Sequence, residues 1–99
     1  MSEKALAMLK HMRSQIFGQP APYVEVRGAA ISVGLEPGGD ECAGLVDELL
    51  RAGYIQHYPS PSLTANGLYR LTDQGIAVAD AAALAEARRR AQRNEGRER

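Results

Sequence analysis

The stretch "AGLVDELLRAGYI", residues 43 to 55, decides how the rest of the chain is interpreted. With the preceding Cys42, its apolar residues have the spacing of one buried helix face: Cys42, Leu45, Val46, Leu49 and Leu50. Gly53 follows as a natural C-terminal stop, and Asp40 is a suitable N-cap. The pattern predicts an amphipathic helix from about Asp40 to Ala52, with a strand directly after it.

Two further helices are predicted before this one. The first covers residues 3–17, follows a capping side chain at Ser2, and ends at "FGQPAPY", where glycine and proline stop it. The second covers residues 25–33 and has an apolar face, although the alternation in "YVEV" also allows this segment to begin as a strand. The connection "EPGG" places Pro37 and Gly38 in the positions that a type II turn prefers.

The residues after Gly53 predict a β-hairpin and a final helix. "YIQHY" and "GLYRLT" are interpreted as two strands, with "PSPSLTAN" as a long tip between them. Thr72 and Asp73 open the last helix, whose stripe is either a close-packed dimer surface or part of a monomeric core: Ile76, Ala79, Ala83 and Ala87. The following "RRRAQRNEGRER" has little apolar surface, so we predict a domain over residues 1–87 and a basic, disordered tail over residues 88–99.

Length and composition indicate one small globular domain. The chain has 99 residues, 44% of them hydrophobic, and no apolar run long enough to cross a bilayer. Its charged, amphipathic N-terminus differs from a signal sequence, so we expect a cytoplasmic protein with no membrane partner. Cys42 is the one cysteine, cannot form an internal disulfide, and falls on the buried helix face as a small core residue.

Patterns typical of catalytic and metal sites are missing from the sequence. His11 and His57 lie far apart, and neither has ligand spacing to Cys42. No glycine-rich phosphate loop follows a strand, and no nucleophile, base and orienting acid can be assembled. We therefore expect no metal, no cofactor and no enzymatic activity.

The net charge of zero hides an uneven distribution along the chain. Residues 1–35 carry +2, residues 36–87 carry −6, and residues 88–99 carry +4. The chain is therefore an acidic body with an arginine-rich end. That end suits either sequence-independent contact with nucleic acid or a solubilising extension.

Three helices, a hairpin and a closing helix, in that order, are the elements of a winged helix-turn-helix domain. Two motifs agree: "LVDELLRAGYI", a leucine-rich helix ending in Gly-Tyr-Ile, and "YRLTDQG", which contains Tyr69, Leu71, Thr72 and Gly75. In these motifs the chain resembles the winged-helix regulators of the MarR and PadR type, over about residues 3–85. The resemblance implies an α+β, mostly helical fold with a three-helix core, a two- to three-stranded wing and a C-terminal helix. It also implies a transcriptional regulator that binds double-stranded DNA as a homodimer through its terminal helices.

In such regulators the third helix enters the major groove, and the wing contacts the DNA backbone. By this resemblance, the DNA-contacting residues of the helix are Glu41, Ala43, Gly44, Asp47 and Arg51. Those of the wing are Ser62, Thr64, Asn66 and Arg70. Arg51 has a second interpretation, since Asp47 lies one helical turn earlier and can pair with it.

A second function follows from the charges on the same elements. The third helix exposes acids where such regulators usually carry Ser, Thr or Arg, and the wing tip from Pro59 to Gly67 contains no lysine or arginine. Affinity for DNA depends mainly on cations that neutralise its phosphates, so an acidic face favours a basic protein partner instead. The alternative is a winged-helix protein-interaction module that does not bind DNA.

Overall fold

Residues 1–18, 23–58 and 68–97 are described by the computed structural model, the last four of them as helical backbone alone. Over these ranges the chain is an α+β fold that is mostly helical, as predicted, with four helices and a three-stranded antiparallel sheet. The elements are α1 (Glu3–Ile16), β1 (Val24–Glu25), α2 (Val26–Ser32), α3 (Asp40–Arg51), β2 (Ile55–His57), β3 (Leu68–Leu71) and α4 (Asp73–Arg97).

The first helix begins where the sequence predicts it. The backbone N–H of Ala5 donates to Ser2 Oγ at 3.2 Å, and Glu3 places a carboxylate at the positive helix end. Its buried face consists of Ala5, Met8, Leu9 and Met12. Because α1 contacts α2, α3, α4 and β1, it is the element around which the core assembles.

The strand that "YVEV" allowed is β1, and the side chain of Gln15 covers its outer edge. The N–H of Glu25 donates to Gln15 Oε1 at 2.7 Å, and Gln15 Nε2 donates to the Glu25 carbonyl at 2.9 Å. The other edge pairs with β3, where Val24 is opposite Tyr69. Both edges of a two-residue strand are thereby provided with partners.

The connection between α2 and α3 is a turn, but not of the predicted type. The N–H of Gly39 donates to the Glu36 carbonyl at 3.0 Å. Type II would need a positive φ at Gly38, whereas the described glycines with positive φ are Gly18, Gly34 and Gly53. The type II prediction is therefore wrong, because Pro37 suits the first central position of a type I turn equally well.

The third helix starts at the predicted residue with a different cap. Gly39 is the N-cap, so the prediction of Asp40 as the cap is wrong; its carboxylate lies in the first turn instead. The buried residues of α3 are Cys42, Val46 and Leu49. Burial raises the pKa of the Cys42 thiol, as expected for a core residue. Gly53 adopts a φ of 79° just after the helix, which confirms the predicted stop.

The third strand lies in the middle of the sheet, in the order β1-β3-β2. Ile55 is opposite Leu71, and both side chains are buried. In the next pair along, Gln56 is opposite Arg70, and both are exposed. One face of the sheet therefore packs on the core and the other faces solvent.

Thr72 joins the hairpin to α4 and to the end of α3. Its Oγ1 accepts a hydrogen bond from the N–H of Gly75 at 3.0 Å and donates to the Gly53 carbonyl at 2.7 Å. Its own N–H donates to the Tyr54 carbonyl at 3.1 Å. The two motifs that carry the family resemblance are thus in direct contact.

The fourth helix extends beyond the predicted domain boundary at residue 87. Ala79 is buried, but Ala83 and Ala87 of the predicted stripe are exposed. The helix nevertheless continues to Arg97, where the sequence predicts a disordered tail. Alanine and arginine are strong helix formers, and Arg90 pairs with Glu86 at 2.8 Å, so local propensity accounts for this difference.

Candidate nucleic-acid interface

The outward face of α3 is a continuous exposed stripe. We call it the α3 stripe, and it consists of Asp40, Ala43, Gly44, Asp47 and Arg51. The last four are residues that the sequence predicts as DNA contacts, and the helix brings them onto one face. Small side chains occupy the middle of the stripe, and charged side chains flank them.

Glu41, the remaining predicted contact of the helix, is bound by α1. Its Oε2 forms an ion pair with Lys4 Nζ at 2.8 Å. Glu48 is bound similarly, because its Oε2 accepts the N–H of Ser2 at 3.0 Å and the Ser2 hydroxyl at 3.4 Å. Neither contact has a local signal in the sequence, because the two pairs join residues 37 and 46 positions apart.

Arg51 pairs with Asp47 inside the α3 stripe, at 2.9 Å. The Arg51 side chain is 81% exposed, and such a pair contributes only about 0.3–0.5 kcal/mol. A phosphate or carboxylate of a partner can therefore replace Asp47 at little cost. Within the described part of the chain, Asp40 is then the one carboxylate of the stripe without an ion pair.

Gly44 has no evident role inside the chain. No atom lies within 4 Å of the place where a Cβ would stand, so packing does not require a glycine there. Glycine inside a helix costs about 0.5–1 kcal/mol relative to alanine. The residue therefore lowers helix stability while leaving the helix backbone open to an approaching surface.

Only one of the predicted wing contacts can be located. Ser62, Thr64 and Asn66 lie in residues 59–67, outside the described residues. Arg70 lies on β3 with its side chain exposed, and no hydrogen bond or ion pair in the described ranges links it to the α3 stripe. It borders an open cavity of about 400 Å³ whose lining includes Tyr23 and Tyr58, with ring centroids 6.2 Å apart.

Two cations of α1 fasten α4 to the core. Lys10 Nζ donates to Glu86 Oε2 at 2.5 Å, and Arg13 Nε donates to Asp80 Oδ1 at 3.0 Å. The hydrogen bond and charge of Lys10, with the nearby charge of Arg90, lower the pKa of Glu86. Lys10 and Arg13 therefore stabilise the contact between α1 and α4.

Two kinds of site are absent from residues 1–18, 23–58 and 68–97. No group of three or more His, Cys, Asp or Glu side chains is placed there to hold a metal ion, and no described helix is long and apolar enough to cross a membrane. Comparisons with models of protein families, with curated proteins and with solved structures found no match to this chain. The resemblance to MarR- and PadR-type regulators therefore rests on motifs and element order.

Proposed function

We propose that this chain is a cytoplasmic winged helix-turn-helix protein that binds double-stranded DNA and regulates transcription. The order α1-β1-α2-α3-β2-β3-α4 supports this, because a hairpin directly follows the third helix. The sheet order β1-β3-β2 also supports it, since the short strand before α2 then completes a three-stranded wing.

The observation that carries the proposal is the exposed, small-residue middle of the α3 stripe. The major groove of B-DNA is about 12 Å wide and admits one α-helix. Ala43 and Gly44 let the backbone of α3 approach base edges closely, and the intramolecular environment gives no reason for the glycine. A helix that only faced solvent would gain stability from alanine at this position.

The charges around the stripe are compatible with a duplex. Ser2 and Lys4 bind Glu48 and Glu41, which leaves fewer free carboxylates near phosphates than the sequence alone indicates. Arg51 and Arg70 provide exposed cations on the helix and on the wing. When DNA binds, Arg51 leaves Asp47 and pairs with a phosphate. The carboxylates of Asp40 and Asp47 repel the phosphates and limit the affinity for DNA.

The outer face of α4 supports the homodimer. Five exposed residues follow one another at the four- and three-residue spacing of a coiled-coil seam: Ala77, Ala81, Leu84, Arg88 and Ala91. Leu84 lies at the centre and is 53% exposed. Two copies then present two α3 stripes to one duplex.

Titration of the full chain against mixed-sequence duplex DNA tests the proposal. We expect binding at low ionic strength that weakens as salt is raised. Arg51→Gln and Arg70→Gln should each lower the slope of log affinity against log salt by about 1, because each removes one phosphate contact. Absence of binding at low salt, by a protein shown to be folded by circular dichroism, would overturn the DNA proposal.

A protein-interaction module is the second candidate. Asp40 and Asp47 remain on the outward stripe, and a basic protein surface would complement them. Asp47→Lys separates the candidates, because it should strengthen DNA binding and abolish capture of a basic partner. Stronger DNA binding without loss of any protein partner rules out the second candidate.

A further inference from the structure

An open groove runs between the N-terminal half of α1 and the C-terminal half of α4. Its volume is about 520 Å³, and its lining includes Leu6 and Ala7 from α1 and Arg89 and Arg93 from α4. We call it the α1–α4 groove. We propose that it binds an acidic amphipathic helix of another protein. This surface is separate from the α3 stripe, so the inference goes beyond the proposed DNA binding.

The groove carries two cations outside the ion pairs that Glu86 forms. Lys10 and Arg90 both bind Glu86, at 2.5 and 2.8 Å. Arg89 and Arg93 line the same groove, and neither forms an ion pair within the described ranges, although the charge of Arg89 helps to lower the pKa of Glu86. Glu3 also lines the groove, so four cations there face two carboxylates. They lie four residues apart on α4, so their side chains emerge about 5–6 Å from one another along one helix face. Carboxylates one turn apart on a partner helix match this spacing.

The apolar part of the groove points to a protein segment rather than to nucleic acid. Leu6 and Ala7 are half-buried, and neither belongs to the hydrophobic core or packs against it as a partly buried member. They form an apolar floor beside the arginines. A nucleic-acid backbone would leave that floor uncovered, whereas an amphipathic helix places an apolar ridge on it and carboxylates beside the arginines. Charge complementarity and apolar burial therefore favour the same occupant.

Arg27 provides a matched control. Like Arg89 it is an exposed arginine, but it lies on α2 and does not line the groove. Arg27→Glu and Arg89→Glu thus make the same change of charge, one outside the groove and one inside it. Simple long-range attraction to an acidic peptide would respond equally to both.

The test is fluorescence anisotropy of a labelled synthetic helix-forming peptide, with leucines on one face and glutamates on both flanks, titrated with the full chain. We expect saturable binding that Arg89→Glu together with Arg93→Glu weakens roughly tenfold, while Arg27→Glu changes it about twofold or less. Leu6→Ser should weaken binding without any change of charge. Circular dichroism of each variant checks that the helices are retained.

Three results would overturn the inference. One is an equal loss for Arg27→Glu and Arg89→Glu, which indicates unspecific attraction. Another is equal binding of a peptide of the same composition whose leucines are spread around the helix. The third is failure of the peptide to bind while labelled duplex DNA binds and loses affinity on Arg89→Glu, which assigns the groove to nucleic acid. Failure of DNA to bind the α3 stripe would leave this inference standing, because the peptide assay does not involve that surface.

Discussion

The first turn of α4 lies directly against the main chain of Tyr54, and Gly75 makes this approach possible. A Cβ at Gly75 would overlap the carbonyl oxygen of Tyr54 and lie 2.9 Å from its carbonyl carbon. The same carbonyl oxygen accepts the N–H of Thr72 at 3.1 Å, so the backbone of Tyr54 cannot retreat without breaking that hydrogen bond. The glycine of "YRLTDQG" therefore fixes where α4 leaves the hairpin.

Gly75→Ala is expected to destabilise the fold by about 3 kcal/mol, because the clash is with backbone rather than with a flexible side chain. Gly44→Ala is the matched control, since its new methyl group meets no atom within 4 Å. It should instead stabilise the protein by about 0.5–1 kcal/mol. Denaturant unfolding followed by circular dichroism measures both. Similar midpoints for the two variants would show that Gly75 is not packed as described.

The amide of Gln15 is expected to stabilise β1 through its two hydrogen bonds to Glu25. Gln15→Ala should cost about 1–2 kcal/mol, because it leaves the N–H and carbonyl of Glu25 without these partners. Gln15→Glu should restore little of that stability, since it keeps an acceptor for the Glu25 N–H but loses the donor to the Glu25 carbonyl. Gln92→Ala, an exposed change on α4, serves as control and should be close to neutral. Equal stability of the Gln15 and Gln92 variants would contradict the role of this side chain.

Local patterns predicted the helices well, and contacts distant in sequence explain most of what they missed. The helical spacing of Val46 and Leu49 is enough to predict the buried face of α3, because residues three apart lie on the same side of a helix. The two residues of β1 carry no such period, and they form a strand because β3 and Gln15 supply partners from elsewhere.

The candidate interface likewise has features that follow from local sequence and features that depend on distant contacts. The α3 stripe follows from helical spacing alone, so the sequence predicted that Ala43, Gly44, Asp47 and Arg51 share a face. The binding of Glu41 by Lys4 could not be predicted, because it depends on how α1 crosses α3. The length of α4 has another cause, since its alanines and arginines extend the helix by their own propensity where little apolar surface is buried.

The contact between Lys10 and Glu86 predicts a pH dependence. The folded pKa of Glu86 lies below the ordinary value of 4.5, so the stabilisation is fully present above pH 4.5 and is lost as pH falls through the folded pKa. Glu86→Gln should therefore lose less stability than the unsubstituted chain on acidification below pH 4.5. Denaturant midpoints at a series of pH values measure this. Glu36→Gln removes an exposed carboxylate that lies outside the helices and has no ion pair in the described ranges, and an identical response of both variants would refute the prediction.

Gly44→Leu tests the α3 stripe without disturbing the fold. The added side chain projects outward, so stability should not fall, while close approach of α3 to a duplex is blocked. We expect DNA affinity to drop about tenfold or more, the equivalent of about 1.4 kcal/mol. Ala85→Leu adds a large side chain at an exposed position of α4 and should leave DNA affinity unchanged. Unaltered affinity in Gly44→Leu would remove α3 from the interface.

Leu84→Lys is expected to convert a dimer into a monomer, because it places a charge at the centre of the exposed α4 seam. The side chain is 53% exposed in the single chain, so the fold itself should tolerate lysine there. Ala85→Lys adds the same charge on the neighbouring exposed residue outside the seam and should leave the dimer intact. Sedimentation equilibrium over a range of concentrations gives the mass of each variant. A monomeric unsubstituted chain, or equal masses for Leu84→Lys and Ala85→Lys, would exclude α4 as the dimer contact and leave each DNA half-site to a single copy.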